Sequence, residues 1–506
     1  MLGRMRRPVL LWLFCLILAP APASSADSLD ASMSTDGWLA DALNDVSADR
    51  MLKDIAALSG VDFVGRQTGS PQDLTSAAFV ADRFAQLRMH RTPAPPPQHH
   101  TNPLPFREWK QTAPVTFRTI EDHPQLLVET PASPSPLTPG RDFLPILDSP
   151  SADLAASIVF VGHGVSEHDY EGIDVRGKIV LFLRGKPEKY NGPAAHSDKE
   201  RLAKRKGAAG YLTATGPILT PYEQRRGVTP SPSAFYSTVD PVSQLPGAWV
   251  STDVADAIVR AGSGGNKTLL ALQAETQRNG ASAAFDTGVT ARMAWTSPIR
   301  EGTLCNVASI IRGYAAATDD ALVIGAHRDH FGRQAGLLFA GADDNASGTA
   351  VLLEVARVMA QAPAAPKRSI VFVSFSGEEQ GLLGSRLYVS QPIVPLSKTV
   401  TMINVDHAGV GNGRLTVGVT GMEQSAAMEA GLMAGLADRL DLFGFFPGGD
   451  HVPFKEAGVP TVTVVSGGVH PHFHQSTDTV ETLNPEILQS IARYVLTLAW
   501  RLADAP

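Results

Sequence analysis

Val323-Ile324-Gly325-Ala326-His327-Arg328-Asp329-His330 and, after a short spacer, Gly341-Ala342-Asp343-Asp344-Asn345-Ala346-Ser347-Gly348 form the stretch around which the chain is organised. Residues 321–324 are apolar and continuous rather than alternating, which predicts a strand buried on both faces. Such a strand delivers His327 and Asp329 at its carboxyl end, where α/β sheets place their chemistry. The acidic pair then sits at a loop-to-helix turn, because a helical pattern starts at Thr349. Imidazole and carboxylate so disposed suit a divalent metal, with an outer carboxylate fixing the imidazole tautomer. A solvated acidic loop would read the same way in isolation.

Working outward, strand and helix alternate regularly from Asn306 onward. Strands are predicted at 321–326, 369–375, 399–405 and 459–465, and helices at 349–361, 380–390, 423–440 and 485–503. That order implies a mostly parallel sheet with helices on both faces. Upstream, residues 38–58 are apolar at helical spacing. A second helix is predicted to start at Ser70-Pro71, a cap followed by a first-turn proline. Two proline-rich passages, 92–105 and 131–139, read as loops. Between the second of these and about Ala281 lie short apolar strands broken by Gly and Asp, which predict a separate inserted domain.

The length of 506 residues favours two domains, and 43% hydrophobic with 18% charged residues describes a globular chain. A net charge of −7 argues against nucleic acid as a partner. Arg4, Arg6 and Arg7 precede an apolar run over 9–18 and then small residues around Ala23 and Ala26, the pattern of an export signal. The run is shorter than the roughly 20 residues of a spanning helix, so no membrane span is expected after cleavage. Of the two cysteines, Cys15 lies in that segment, leaving Cys305 and no internal disulfide. Export to a periplasm or the medium is the expectation.

Four further stretches end predicted strands: Ser376-Gly377-Glu378-Glu379, Asn404-Val405-Asp406, Gly449-Asp450-His451 and His470-Pro471-His472-Phe473-His474-Gln475-Ser476-Thr477-Asp478-Thr479. Each alone is a helix start, a cap or a surface loop. Together they fall along one crevice, because parallel strands bring their carboxyl ends to one edge. Two histidines and four acids there approximate what two metals would share, with a carboxylate left over as base.

These motifs, in order and spacing, resemble the co-catalytic dizinc aminopeptidase family (metallopeptidase family twenty-eight). Gly65-Arg66-Gln67-Thr68-Gly69-Ser70 is similar to that family's opening segment, and the insert looks like a protease-associated domain. The resemblance implies an α/β zinc-exopeptidase fold carrying a small β-rich α+β insert. It divides the chain into a signal at 1–26, peptidase segments at 27–129 and 282–506, and the insert at 130–281. It implies two zinc ions bridged by Asp343, with His474 and Glu379 completing one site and His327 and Asp406 the other. Glu378 would be the general base, Asp329 would orient His327, and Asp344 would support the turn. A carboxylate bridging cations about 3.5–4 Å apart acidifies the water between them. A glutamate beside that water relays its proton, worth typically about 10²–10⁴-fold.

The implied activity is removal of N-terminal residues from peptides. A carboxypeptidase or dipeptidase of the same superfamily needs a cation for the substrate carboxylate, for which Arg328, Arg333 and Arg184 are available. A glutaminyl cyclase generally lacks the first histidine, and a receptor-like relative would have lost ligands. His407 stands where relatives often carry methionine and Arg328 where tyrosine is common. Strand alternation predicts that both point away from their ligand neighbours. His451, His470 and His472 are expected to be packing or loop residues.

Overall fold

The computed structural model describes residues 35–89, 109–130, 133–216, 229–237, 244–280, 284–314 and 319–504. The predicted export signal and the 92–105 loop lie outside them. An eight-stranded mixed sheet forms the centre. Its inner four strands, Ser369–Phe375, Ala321–His327, Thr399–Val405 and Thr461–Ser466, run parallel in that spatial order. Ile299–Ile311 and then Trp109–Arg118 extend one side antiparallel. On the other side Leu415–Thr420 joins antiparallel, and Leu440–Phe443 closes the sheet parallel to it.

The inner strands are parallel because their connections carry covering helices: Gly348–Met359 follows one, Leu383–Ser390 the next. Residues 321–327 are buried throughout, as the unbroken apolar run requires. The C-terminal helix Pro485–Asp504 buries Leu488, Ile491, Val495 and Leu498 against the sheet. Each such side chain contributes about 1.5–3 kcal/mol. The 38–58 segment is two helices, Thr35–Asp45 and Ala48–Leu58, with Ser47 capping the second through its hydroxyl. Trp38 packs on Trp500 with ring centroids 4.2 Å apart, tying the first helix to the last. The helix Pro71–Met89 starts where Ser70-Pro71 predicts, the Ser70 hydroxyl accepting from the Asp73 N–H.

A second eight-stranded sheet gathers strands from Gln125 to Trp295, with its own helices and core. The boundaries expected for the insert, 130–281, are therefore too narrow. Gln125–Thr130 pairs with Phe285–Trp295 inside this sheet, so both flanks belong to it. Sequence spacing cannot reveal that pairing, because the two strands lie far apart in the chain. Nor are the cores fully separate: Phe331, Ala335 and Phe339 pack into the insert's core from the loop after the central strand.

Candidate metal centre

The parallel strands deliver their carboxyl ends to one cluster. His327 ends its strand with Nε2 3.5 Å from Asp344 Oδ1 and 3.5 Å from Asp406 Oδ1. His474, on the loop after the last parallel strand, brings Nε2 to 3.2 Å from Asp344 Oδ2 and 3.5 Å from Glu379 Oε2. Asp344 thus turns one oxygen to each histidine. Glu378 Oε2 lies 4.0 Å from His327 Nε2 on the open side of the group.

Asp343 does not occupy the bridging position that the resemblance assigns to it. Its Oδ1 accepts the Gly409 N–H at 2.7 Å and its Oδ2 pairs with His470 Nδ1 at 2.7 Å. The roles of the two aspartates are exchanged: Asp344 faces both histidines, and Asp343 supports the turn. The reason is local. Asp478 accepts both backbone N–H groups, from Asp343 at 2.8 Å and Asp344 at 3.0 Å, while Ser347 Oγ donates to the Asp343 carbonyl. The Asp344–Asn345 peptide is cis. Glycine closes the turn at both ends. A Cβ on Gly341, at φ 61°, would meet the Asp344 carbonyl oxygen at 2.4 Å, and one on Gly348 would meet Asn345 Oδ1 at 2.3 Å.

Asp329 accepts from Thr68 Oγ1 at 2.7 Å and from the Glu378 N–H at 3.3 Å, with one carboxylate oxygen 3.6 Å from His327 Nδ1. Thr68 comes from the Gly65–Ser70 segment, whose Arg66 is wholly buried and donates to the carbonyls of Leu58, Arg328, Ala340 and Gly341. That one guanidinium binds the opening segment to both halves of the central motif.

Arg328 points away from the cluster, as alternation predicts, into an ion pair with Asp73 at 2.8 Å. His407 does not follow that rule. At φ 46° its ring turns back to the carboxylates, with Nε2 3.8 Å from both Asp344 Oδ2 and Asp406 Oδ1. His470 is likewise more than a loop residue, through its bond to Asp343. His330 and Asp478 were passed over in the sequence although both lie inside quoted motifs. His330 Nδ1 is 2.7 Å from Glu379 Oε1. His472 sits on the exposed part of its loop. His451 is buried, which pushes it down to about 4 against the opposing effect of the bond from its Nε2 to the Phe446 carbonyl.

Burial pushes Glu378 up to about 8, the charges of Asp450, Asp406 and Asp344 adding to it against His327. Burial also raises Glu379 well above the carboxylate range, reinforced by Asp344 and Glu378. Burial lowers His327, but the neighbouring Glu378, Asp329 and Asp406 outweigh it and raise the group well above its ordinary range. Carboxyl groups gathered out of water either hold protons or sit beside positive charge, and a divalent cation would supply that charge here. His327 Nε2 and Asp406 Oδ1 are buried without a hydrogen-bond partner. Imidazole and carboxylate donors stand at ligand-to-ligand spacing in His327–Asp344–Asp406 and in His330–Asp344–Glu379, and His474 Nε2 faces Asp344 and Glu379 beside the second group. The residues fit a divalent metal centre.

Residues 306–499 match the model of Peptidase family M28. That segment, less than half of the chain, is similar to this family. Curated relatives share parts of the sequence: the aminopeptidase YwaD of Bacillus subtilis is 34% identical over 160 residues, 29% of this chain and 35% of that protein. The probable glutamate carboxypeptidase VP8 of Zea mays is 27% identical over 428 residues, 73% of this chain and 56% of that protein. The chain therefore spans about a third to half of these relatives. Among solved structures, an M28 peptidase precursor from Shewanella amazonensis superposes with a TM-score of 0.66 at 20% identity, over 93% of this chain and 97% of that one. The α/β architecture of the M28 peptidases is thus the fold of this chain.

Proposed function

We propose that the chain is an exported, zinc-dependent aminopeptidase that removes N-terminal residues from peptides. The observation that carries this reading is Asp344, one oxygen toward His327 and Asp406, the other toward His474 and Glu379. Those five residues would hold two zinc ions. Bound there, the metals supply Lewis-acid polarisation of the scissile carbonyl and lower the pKa of an attacking water. The side chains do the rest. Glu378 accepts the water proton at Oε2 and passes it to the leaving amine. Asp329 holds His327 through Nδ1, and Asp343 and Asp478 hold the turn that aims Asp344.

The insert contributes directly to the centre. The Ala234 N–H donates to the His474 carbonyl at 2.9 Å, and Gln475 Nε2 to Ser233 Oγ at 2.8 Å. A cleft of about 620 Å³ lies between insert and peptidase sheet, with Asp148, Tyr236 and Gln244 on one wall and Gln380, Leu383 and Arg386 on the other. That the insert limits access to short peptides is part of the same proposal. The resemblance of the insert to a protease-associated domain, and export itself, belong to the same proposal.

A carboxypeptidase or dipeptidase is the second reading, favoured by the name of the maize relative. Several cations it could use are engaged elsewhere, although Arg118 and Arg386 line the cleft. Arg328 is paired with Asp73, Arg184 lies over the Trp249 ring, Arg333 donates to the Gly336 carbonyl, and Arg386 pairs with Glu456. A receptor-like role is disfavoured because no ligand position is lost. The deciding test is hydrolysis of free-amine and N-blocked chromogenic peptides by the protein as isolated, chelated and zinc-restored. Zinc-restorable cleavage of the free-amine set alone is expected; cleavage of the blocked set alone would establish the carboxypeptidase.

A further inference from the structure

We propose that His407 is a further ligand of the metal centre, a third imidazole beside His327 and His474. The inference rests on the metal centre proposed above. Its Nε2 stands 3.8 Å from Asp344 Oδ2 and 3.8 Å from Asp406 Oδ1. Ligand atoms on bonds of about 2.0–2.2 Å lie roughly 3.3–3.6 Å apart at the tetrahedral angle, and about 3.8 Å at a somewhat wider one. The pairs around His327 and His474 fall at 3.2–3.5 Å; Asp406 Oδ1 faces the first and Asp344 Oδ2 the second, so His407 stands between the two metal positions at the outer edge of ligand spacing.

The ring's other nitrogen supports this assignment. Nδ1 is buried without a hydrogen-bond partner and faces Asp343 Oδ2 at 3.4 Å. A metal-bound imidazole commonly has a carboxylate behind its second nitrogen, fixing tautomer and direction. Asp329 stands behind His327 in the same way. The backbone is also set for it. A left-handed φ at a non-glycine residue is disfavoured by about 1–2 kcal/mol, and His407 adopts one with its carbonyl held by the Ser466 N–H at 2.9 Å and the Ser466 hydroxyl. An ordinary extended backbone would have turned the ring to the opposite side from Asp406.

A separate ion held by Asp343, His407 and His470 explains the geometry less well. His470 Nδ1 and Asp343 Oδ2 are 2.7 Å apart, the distance of a hydrogen bond, which leaves no coordination angle between them.

The test uses the full chain loaded with cobalt(II) in place of zinc, together with chelator competition for zinc. Paramagnetic proton spectra show one solvent-exchangeable, strongly shifted N–H resonance per ligating imidazole. His407→Met should remove one such resonance and leave two metal ions bound, with zinc affinity lowered about tenfold or more. Asp343→Asn, which keeps the size but weakens the outer acceptor, should shift one resonance and lower affinity about tenfold. An unchanged resonance count in His407→Met, with affinity within twofold, overturns the inference alone. Loss of a third bound equivalent overturns it in favour of the separate ion. Absence of metal binding by the unaltered chain would overturn the metal centre and this ligand together.

Discussion

Asp343 and Asp344 are adjacent, identical in chemistry and equally buried, yet only one faces both histidines. Asp344→Ala should therefore abolish binding of both metal equivalents, measured by metal analysis after gel filtration. Asp343→Ala should retain at least one. Equal losses in the two variants would contradict the exchange of roles. Glu378→Gln keeps shape and removes the proton acceptor, so it should bind metal normally while kcat falls about 10²–10⁴-fold. Near-normal turnover would remove Glu378 as the base. The histidines and acids that gather here were legible because parallel strands and the loops after them open on one crevice. Which aspartate faces both histidines was not, since a one-residue shift in a turn leaves the motif's spacing unchanged.

At the scale of elements, the central strand Ala321–His327 is anchored just past its end by a buried ion pair. Arg328 and Asp73 are both fully buried, and the guanidinium also donates to the carbonyls of Cys305, Ser374 and Phe375. Removing one partner of such a pair strands a charge away from water, at about 3–5 kcal/mol. Arg328→Met should lower unfolding free energy by that amount in denaturant titrations, and Asp73→Leu added to it should recover part of the loss. A loss below about 1 kcal/mol would show that the pair is dispensable. Strand and helix positions were well read from period and caps. The long helix expected over 423–440 was not: a nine-residue helix, Ser425–Met433, ends before Gly435, and a separate strand forms at Leu440–Phe443. Tertiary pairing with Leu415–Thr420 overrides helical spacing there.

For the whole molecule, insert and peptidase sheet share packing around Phe331 and a hydrogen bond to the loop that carries His474. The insert also stores a pH dependence. Glu200 is buried against the Leu245 N–H, and burial pushes it up to about 7, outweighing that bond, with Asp148 adding to the rise. Below about 4.5 folded and unfolded forms are both protonated. Between 4.5 and 7 only the unfolded form ionises, so stability falls as pH rises, by on the order of 3 kcal/mol from this group. Glu200→Gln should flatten that part of the thermal-unfolding profile. An unchanged slope would mean that Glu200 is ionised in the fold.

The sequence by itself determined the α/β alternation, the crevice at the strand ends, and the histidines and acids that gather there. Local periodicity and strand direction are enough for those, since a parallel sheet sends every carboxyl end to one edge. Only the tertiary structure decided which aspartate faces both histidines, that His407 turns inward, and which strands the second sheet gathers. Those depend on hydrogen bonds accepted by Asp478 and donated by Gly409 and Ser466, and on pairing between Gln125–Thr130 and Phe285–Trp295, contacts between residues far apart in the chain.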